Sequence, residues 1–168
     1  MPERKRSFNV LFLCSANSAR SILAEALLQQ LGQGRVRAFS AGSFPKSHPH
    51  PLAIELLKSK GLAWAELRSK SWDEFAAPGA PGIDLVITVC DQAAGEACPV
   101  WPGHPARVHW GIPDPAGEEG SKTTARQAFE TTYRLLERRI TALTALPWEE
   151  LDRTDLAQAA QAIAENDR

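Results

Sequence analysis

Apolar residues in this chain occur either in short continuous runs or at helical spacing. The runs at 8–13, 36–39, 83–89 and 106–109 are short and mostly rich in Val, Ile, Leu and Phe, which predicts strands buried on both faces. Between and after these runs, apolar residues recur at intervals of three and four, which predicts helices. The predicted helices span 18–31, 50–60, 123–146 and 155–165, with a short helix at 71–76. Strands that alternate with helices indicate an α/β fold with a parallel sheet and right-handed crossovers.

Glycine and proline mark the ends of these elements. Gly32 closes the first helix, Gly61 stops the second, and a Pro/Gly cluster at 78–82 precedes the third strand. Beyond Pro147 the chain becomes rich in Ala and Gln. We therefore predict a domain at 1–146 that carries the chemistry and a C-terminal helical extension at 147–168, used for packing or for oligomer contact.

Composition restricts the class of protein. The chain has 168 residues, 43% of them hydrophobic, which suits one soluble domain. Its net charge of -1 provides no basic excess for a nucleic acid or an anionic membrane, and no apolar segment approaches the ~20 residues of a membrane span. Three cysteines, an odd number, favour reduced thiols in the cytoplasm over a disulfide framework. No Cys/His spacing fits a metal, so we predict neither metal nor cofactor, and His48 and His50 are assigned surface or capping roles.

The strongest chemical signal lies between the first strand and the first helix. It consists of Cys14, Ser15, Ala16, Asn17, Ser18, Ala19, Arg20 and Ser21. A tight loop that opens a helix points several backbone N–H groups at one spot, and the helix dipole adds positive potential there. A tetrahedral oxyanion such as phosphate or arsenate fits that spot, with Arg20 as a planar fork of donors. The same field predicts a thiolate on Cys14 at neutral pH; the alternative is a buried structural cysteine.

Two further motifs are predicted to lie near Cys14. The carboxyl ends of parallel strands meet at one edge of the sheet, so residues that follow the third and fourth strands gather there. Cys90 follows the third strand, with Cys98 eight residues on, and Asp114 follows the fourth strand between two prolines. Asp114 could protonate a leaving oxygen, although a structural Asx turn is the alternative. Structural roles for Cys90 and Cys98 would be favoured if the Cys14 loop were absent.

Together these motifs resemble the low-molecular-weight tyrosine-phosphatase superfamily and, within it, the thioredoxin-coupled arsenate reductases. The resemblance covers residues 8–145 and includes the loop at 14–21, Ala24-Glu25, Ser40-Ala41-Gly42, 86–90, Cys98-Pro99 and 109–116. It implies a three-layer sandwich in which helices flank a four-stranded parallel sheet. The implied activity is the reduction of arsenate to arsenite for arsenic detoxification.

The resemblance also implies roles for individual residues. Cys14 is the nucleophile, Arg20 the oxyanion clamp, Asp114 the acid, Cys90 and Cys98 the redox relay, Ser21 a stabiliser of the Cys14 thiolate and Asn17 a holder of the loop. Arsenate would be the substrate, thioredoxin the reductant (with glutaredoxin or glutathione as the alternative), and the protein a monomer. Two positions depart from the pattern: the segment from Cys90 to Cys98 is about one residue longer, and Ala19 stands where some members have a cysteine.

Two other functions compete with the reductase. A tyrosine phosphatase of this superfamily would need no relay thiols, but the residues after the Asp-Pro pair, Ala116-Gly117-Glu118, provide no aromatic platform. A non-catalytic module that binds oxyanions or phosphosugars would need neither a reactive Cys14 nor Asp114. In the reductase, a helical 90–98 segment would hold the relay Cα atoms about 12 Å apart, beyond the reach of a disulfide, so the segment would have to rearrange.

Overall fold

The computed structural model describes residues 7–90, 101–115 and 122–167. Four strands form one parallel sheet in the order β2-β1-β3-β4: β1 (Phe8–Leu13), β2 (Val36–Ala41), β3 (Leu85–Thr88) and β4 (Ala106–His109). The α-helices are α1 (Arg20–Leu31), α2 (Pro51–Ser59), α3 (Lys122–Thr144) and α4 (Arg153–Asn166), with 3-10 helices at Trp72–Phe75 and Trp148–Glu150. The predicted α/β fold with a four-stranded parallel sheet is confirmed.

Some boundaries differ from the prediction. Strand β2 runs two residues further, because Ser40 and Ala41 pair with Phe12 and Leu13 of β1. Strand β3 is shorter than predicted, ending at Thr88, although the Val89 amide still donates to Leu13 O at 2.9 Å. Helix α1 begins at 20 rather than 18 because the preceding residues remain in the loop.

Strand β1 is buried on both faces, which explains its continuous apolar run. Val10 and Phe12 belong to the core that contains the buried residues of all four α-helices. Leu11 and Leu13 belong to a smaller core on the other face, together with Phe75 of the first 3-10 helix. The strand therefore lies at the centre of the molecule and holds the loop that follows it in a fixed place.

Helix α4 covers the edge strand β4. The side-chain amide of Gln161 accepts from the His109 N–H at 3.0 Å and donates to the His109 carbonyl at 2.9 Å, as a neighbouring strand would. The Trp110 indole donates to Ala160 O at 2.9 Å. These bonds satisfy an otherwise exposed sheet edge.

The boundary between a domain at 1–146 and a C-terminal extension at 147–168 stays a prediction.

The strand order brings the ends of β1 and β3 together. Strand β1 pairs with β2 on one side and β3 on the other, so the winding of the sheet reverses between β1 and β3. In parallel α/β sheets, ligands bind at the carboxyl ends of the strands beside such a reversal. Leu13 pairs with Thr88, which places Cys14 and Cys90 side by side at this point. Within the described ranges, no helix combines the length and apolar character needed to cross a membrane.

Candidate active site

The loop between β1 and α1 is held from outside through its carbonyl groups. Its carbonyl oxygens accept from four donors: Ser15 O from Phe44 N (2.9 Å), Ala16 O from Lys46 N (3.0 Å), Ser18 O from His50 N (2.9 Å) and Asn17 O from Ser69 Oγ (2.5 Å). These four bonds to neighbouring segments fix the loop through its carbonyl groups.

Two backbone amides of the loop donate to sulfur. The Ser15 N–H lies 3.4 Å from Cys90 Sγ, and the Ala16 N–H donates to the Cys14 sulfur. Helix α1 begins directly after, and its N-cap residue, Ala19, provides no side-chain cap. Uncapped amides at a helix N-terminus bind anions, so this loop suits an oxyanion.

Gly42, directly after β2, allows the backbone there to approach the loop at 14–21 closely. A Cβ at this position would lie 2.4 Å from Ser15 O and 2.6 Å from Cys14 O, distances that no side chain tolerates. The Gly42 amide also donates to Lys70 O at 2.9 Å. Glycine is therefore required here by the packing of backbone against backbone.

Asn17 fixes the middle of the loop. Its φ of 46° lies in the left-handed region, which asparagine tolerates better than most residues. The buried side chain donates to Ser21 Oγ at 2.8 Å and Ser40 Oγ at 2.9 Å, and accepts from the Lys70 amide at 2.9 Å. These contacts are what the predicted loop-holding role requires, and they place Ser21 inside the same network.

A buried ion pair continues this network beneath the loop. Ser40 Oγ donates to Glu25 Oε1 at 2.5 Å, and Lys70 Nζ lies 3.6 Å from the same oxygen. Burial raises the pKa of Glu25, while the Lys70 ammonium and the Ser40 bond oppose that rise. Burial likewise lowers the pKa of Lys70, and Glu25 opposes that fall. Lys70 thus supplies the positive charge that Glu25 needs inside the protein.

Arg20 and Asp114 meet across the mouth of the loop. Arg20 Nη1 donates to Ile112 O at 2.9 Å, and Nη2 lies 3.7 Å from Asp114 Oδ2. The Arg20 Nε is buried and has no hydrogen-bond partner within the described residues. Both side chains line a cavity of about 630 Å³, together with Ser15, Ala16, Lys46, Cys90 and 111–113. A buried donor without a partner in such a cavity fits an oxyanion whose oxygens Arg20 would bind.

Cys14 and Cys90 are both buried, neither forms a disulfide, and their thiols contact each other. The hydrogen bond to Cys90 and then burial raise the pKa of Cys14 far above its usual value, whereas Arg20 and the Ala16 amide act in the opposite direction. The contact with Cys90 and the dry environment therefore disfavour, in this arrangement of the two sulfurs, the thiolate that the loop amides and Arg20 favour. A Cys14 thiolate at neutral pH stays a prediction, and the loop motif alone indicated neither opposing influence.

Comparison with known proteins now defines the family. The family model for low molecular weight phosphotyrosine protein phosphatase matches residues 9–157. The chain belongs to this family. It is 36% identical over 114 residues to an arsenate reductase of Bacillus cereus (strain G9842), a match that covers 67% of this chain and 81% of that protein.

Solved structures of this phosphatase family agree with the fold. An arsenate reductase from Archaeoglobus fulgidus has a TM-score of 0.64 at 28% identity, covering 82% of this chain and 99% of that one. A thioredoxin-dependent arsenate reductase from Corynebacterium glutamicum has a TM-score of 0.53 at 28% identity, covering 79% of this chain and 62% of that one. The resemblance stated from the motifs is confirmed.

The structure brings together most of the predicted site of this phosphatase-family protein. The loop at 14–21, Cys90 and Asp114 meet around one crevice, but their catalytic roles stay predictions. Cys98 and the residues 116–118 that follow the Asp-Pro pair lie outside the described residues. The relay partner and the predicted lack of an aromatic platform are therefore untested.

Lys46 and Lys70 are the site residues that sequence patterns did not indicate. Lys46 lines the cavity because its amide is tied to Ala16 O, and Lys70 is buried beside Glu25. A lone lysine in a loop has no spacing or motif that distinguishes it from a surface residue.

His50 caps helix α2, accepting from Leu52 N at 3.0 Å, which confirms its predicted capping role.

Proposed function

We propose that this protein is an arsenate reductase that passes electrons to arsenate through its own cysteines. The observation that carries the proposal is the contact between two buried thiols, Cys14 and Cys90, at the mouth of an oxyanion-binding loop. A phosphatase of this family needs only the first thiol. The names of the curated relatives and of the solved structures support the same activity.

In the first step, the loop amides and Arg20 bind the oxygens of arsenate. Cys14 passes its proton to an oxygen of the bound arsenate and attacks arsenic as a thiolate, so an S–As bond forms and one As–O bond breaks. Asp114, 3.7 Å from Arg20, protonates the departing oxygen, which leaves as water. Arsenic is still pentavalent at this stage, and the electrons have not yet moved.

In the second step, Cys90 as a thiolate attacks the sulfur of Cys14. An S–S bond forms, the S–As bond breaks, and its electron pair stays with arsenic, which leaves as trivalent arsenite. The two sulfurs are already in contact, so this attack needs no large displacement of either strand. Arsenite departs and the protein holds a Cys14–Cys90 disulfide.

In the third step, Cys98 attacks the sulfur of Cys90 and releases Cys14 as a thiolate. The resulting Cys90–Cys98 disulfide is then reduced by an external dithiol. We assign that role to thioredoxin, because an intramolecular disulfide is the product that a dithiol reduces; one solved relative is named thioredoxin-dependent. Glutaredoxin with glutathione is the alternative. We place the protein in the cytoplasm, because thiols stay reduced there. We further propose that it is a monomer.

The test is arsenite production with two reductant systems and the same enzyme stock. Thioredoxin with its reductase and NADPH should support multiple turnovers, and the glutaredoxin system should not. Cys14→Ser should abolish all turnover, whereas Cys98→Ser should lose only turnovers after the first.

The alternatives give different results. Hydrolysis of an aryl phosphate by a Cys90→Ser, Cys98→Ser double variant at the wild-type rate, with no arsenite from the wild type, would identify a phosphatase. A binding module would show no turnover and unchanged phosphate affinity in Cys14→Ser.

A further inference from the structure

Cys90 uses the same donor that an anion in the loop would use. Its sulfur accepts from the Ser15 N–H at 3.4 Å, lies 3.8 Å from the Ser15 hydroxyl and contacts the Cys14 thiol. Ser15 provides the first amide after the nucleophile. The second cysteine is therefore bound to the loop itself and not only placed near it.

We propose that Cys90 is a ligand of the anion loop, and that an oxyanion entering the loop displaces its sulfur from the Ser15 amide. This inference rests on the proposed oxyanion site but not on arsenate chemistry, so phosphate should act as arsenate does. Its consequence is an ordered reaction, because Cys90 becomes accessible as a nucleophile only after the substrate is bound to Cys14.

The Cys90 sulfur and a bound oxyanion compete because both need the Ser15 amide and both occupy the same cavity. A single N–H makes one well-aligned hydrogen bond, so the Ser15 amide cannot serve a sulfur and an anion oxygen equally well. Ser15, Arg20 and Cys90 line the same cavity, and the buried Arg20 Nε is a donor in need of an acceptor. Hydrogen bonds to a charged oxyanion are roughly twice as strong as neutral ones, which favours displacement of a thiol.

The test uses inorganic phosphate as the probe and iodoacetamide as the thiol reagent. Reduced Cys98→Ser protein, which cannot complete the relay, is alkylated with increasing phosphate at constant ionic strength. The labelling rates of Cys14 and Cys90 are then followed separately by peptide mass spectrometry. We expect phosphate to protect Cys14 and to accelerate Cys90 labelling by about fivefold, the ratio that corresponds to one ordinary hydrogen bond. Both effects should have the same half-saturating phosphate concentration.

Two variants provide controls. In Arg20→Met the clamp is lost, so neither thiol should respond to phosphate. In Ser15→Ala the amide remains, so the acceleration of Cys90 should persist. Protection of Cys14 with no acceleration of Cys90 would overturn the displacement while leaving the oxyanion site intact. If phosphate changes neither rate in the Cys98→Ser protein, both the displacement and the oxyanion site are overturned.

Discussion

Asn17 is predicted to connect the stability of the chain with catalysis. It is buried, has a φ of 46° and makes three side-chain hydrogen bonds, to Ser21, Ser40 and the Lys70 amide. Replacement by alanine removes all three bonds and leaves their partners buried. It also places a residue with a Cβ, but no compensating polar group, in the left-handed region.

The expected loss follows from these contacts. Three hydrogen bonds at about 1 kcal/mol each, together with about 1 kcal/mol for alanine at positive φ, give a loss of about 4 kcal/mol in the free energy of unfolding. For a chain of 168 residues this corresponds to a Tm lower by about 8–16 °C. A loop displaced by about 1 Å should reduce kcat/KM for arsenate about 100-fold.

The assay pairs chemical unfolding with steady-state kinetics, and Asn9→Ala is the matched control. Asn9 is the second residue of β1, at the end of the sheet opposite the site, and its side chain donates one hydrogen bond, to Gly82 O at 2.7 Å. Its replacement should lower the free energy of unfolding by about 1 kcal/mol and leave the kinetics unchanged.

Two outcomes would contradict the positioning role of Asn17. Equal loss of stability in Asn17→Ala and Asn9→Ala would mean that the network beneath the loop contributes no more than a surface bond. A large loss of stability with unchanged kcat/KM at a temperature where the variant is folded would mean that Asn17 does not position the loop.

Three further predictions concern single residues around the site. Gly42→Ala should lose nearly all activity, because the new Cβ would lie 2.4 Å from Ser15 O. Gly82→Ala should keep its activity, because a Cβ there would meet nothing within 4 Å. Equal activities of the two variants would exclude the close approach of Gly42 to the loop. Glu25 has a raised pKa, so its contribution to stability is present below the unfolded value of 4.5 and is lost as pH rises. Lys70→Met should raise the pKa of Glu25 further, so the loss in the free energy of unfolding, measured with urea, should grow as pH rises above 4.5. A loss that stays constant with pH would contradict the ion pair. Lys46→Met should raise KM for arsenate about twofold to fivefold with little change in kcat, because Lys46 lines the cavity. Lys58 is remote from the cavity, so Lys58→Met should leave KM unchanged. An unchanged KM for Lys46→Met in initial-rate measurements would show that Lys46 does not contact the substrate.

Much of the site could be predicted because it depends on local patterns. The apolar run of β1, the eight residues that follow and the start of α1 are continuous in sequence, so their arrangement needs no long-range information. The rule that parallel strands end at one edge then sufficed to bring Cys90 and Asp114 to Cys14.

The remaining features depend on distances of a few ångströms between distant segments. The pKa of Cys14 is governed by the Cys90 contact and by burial, and neither is encoded in the loop motif. Lys70 reaches Glu25 only because its backbone pairs with Asn17 and Gly42. Gln161 was not predicted to cover β4 because side-chain mimicry of a strand has no periodic signal.

We propose that the chain's own thiols supply both electrons to arsenate. Fully reduced protein is mixed with arsenate in the absence of any reductant, and the arsenite formed and the thiols remaining are counted. We expect about one equivalent of arsenite per chain, the loss of two thiols, and the same yield in Cys98→Ser with the disulfide between Cys14 and Cys90. Arsenite formed by Cys90→Ser in equal amount, or none formed by the wild-type chain, would contradict it.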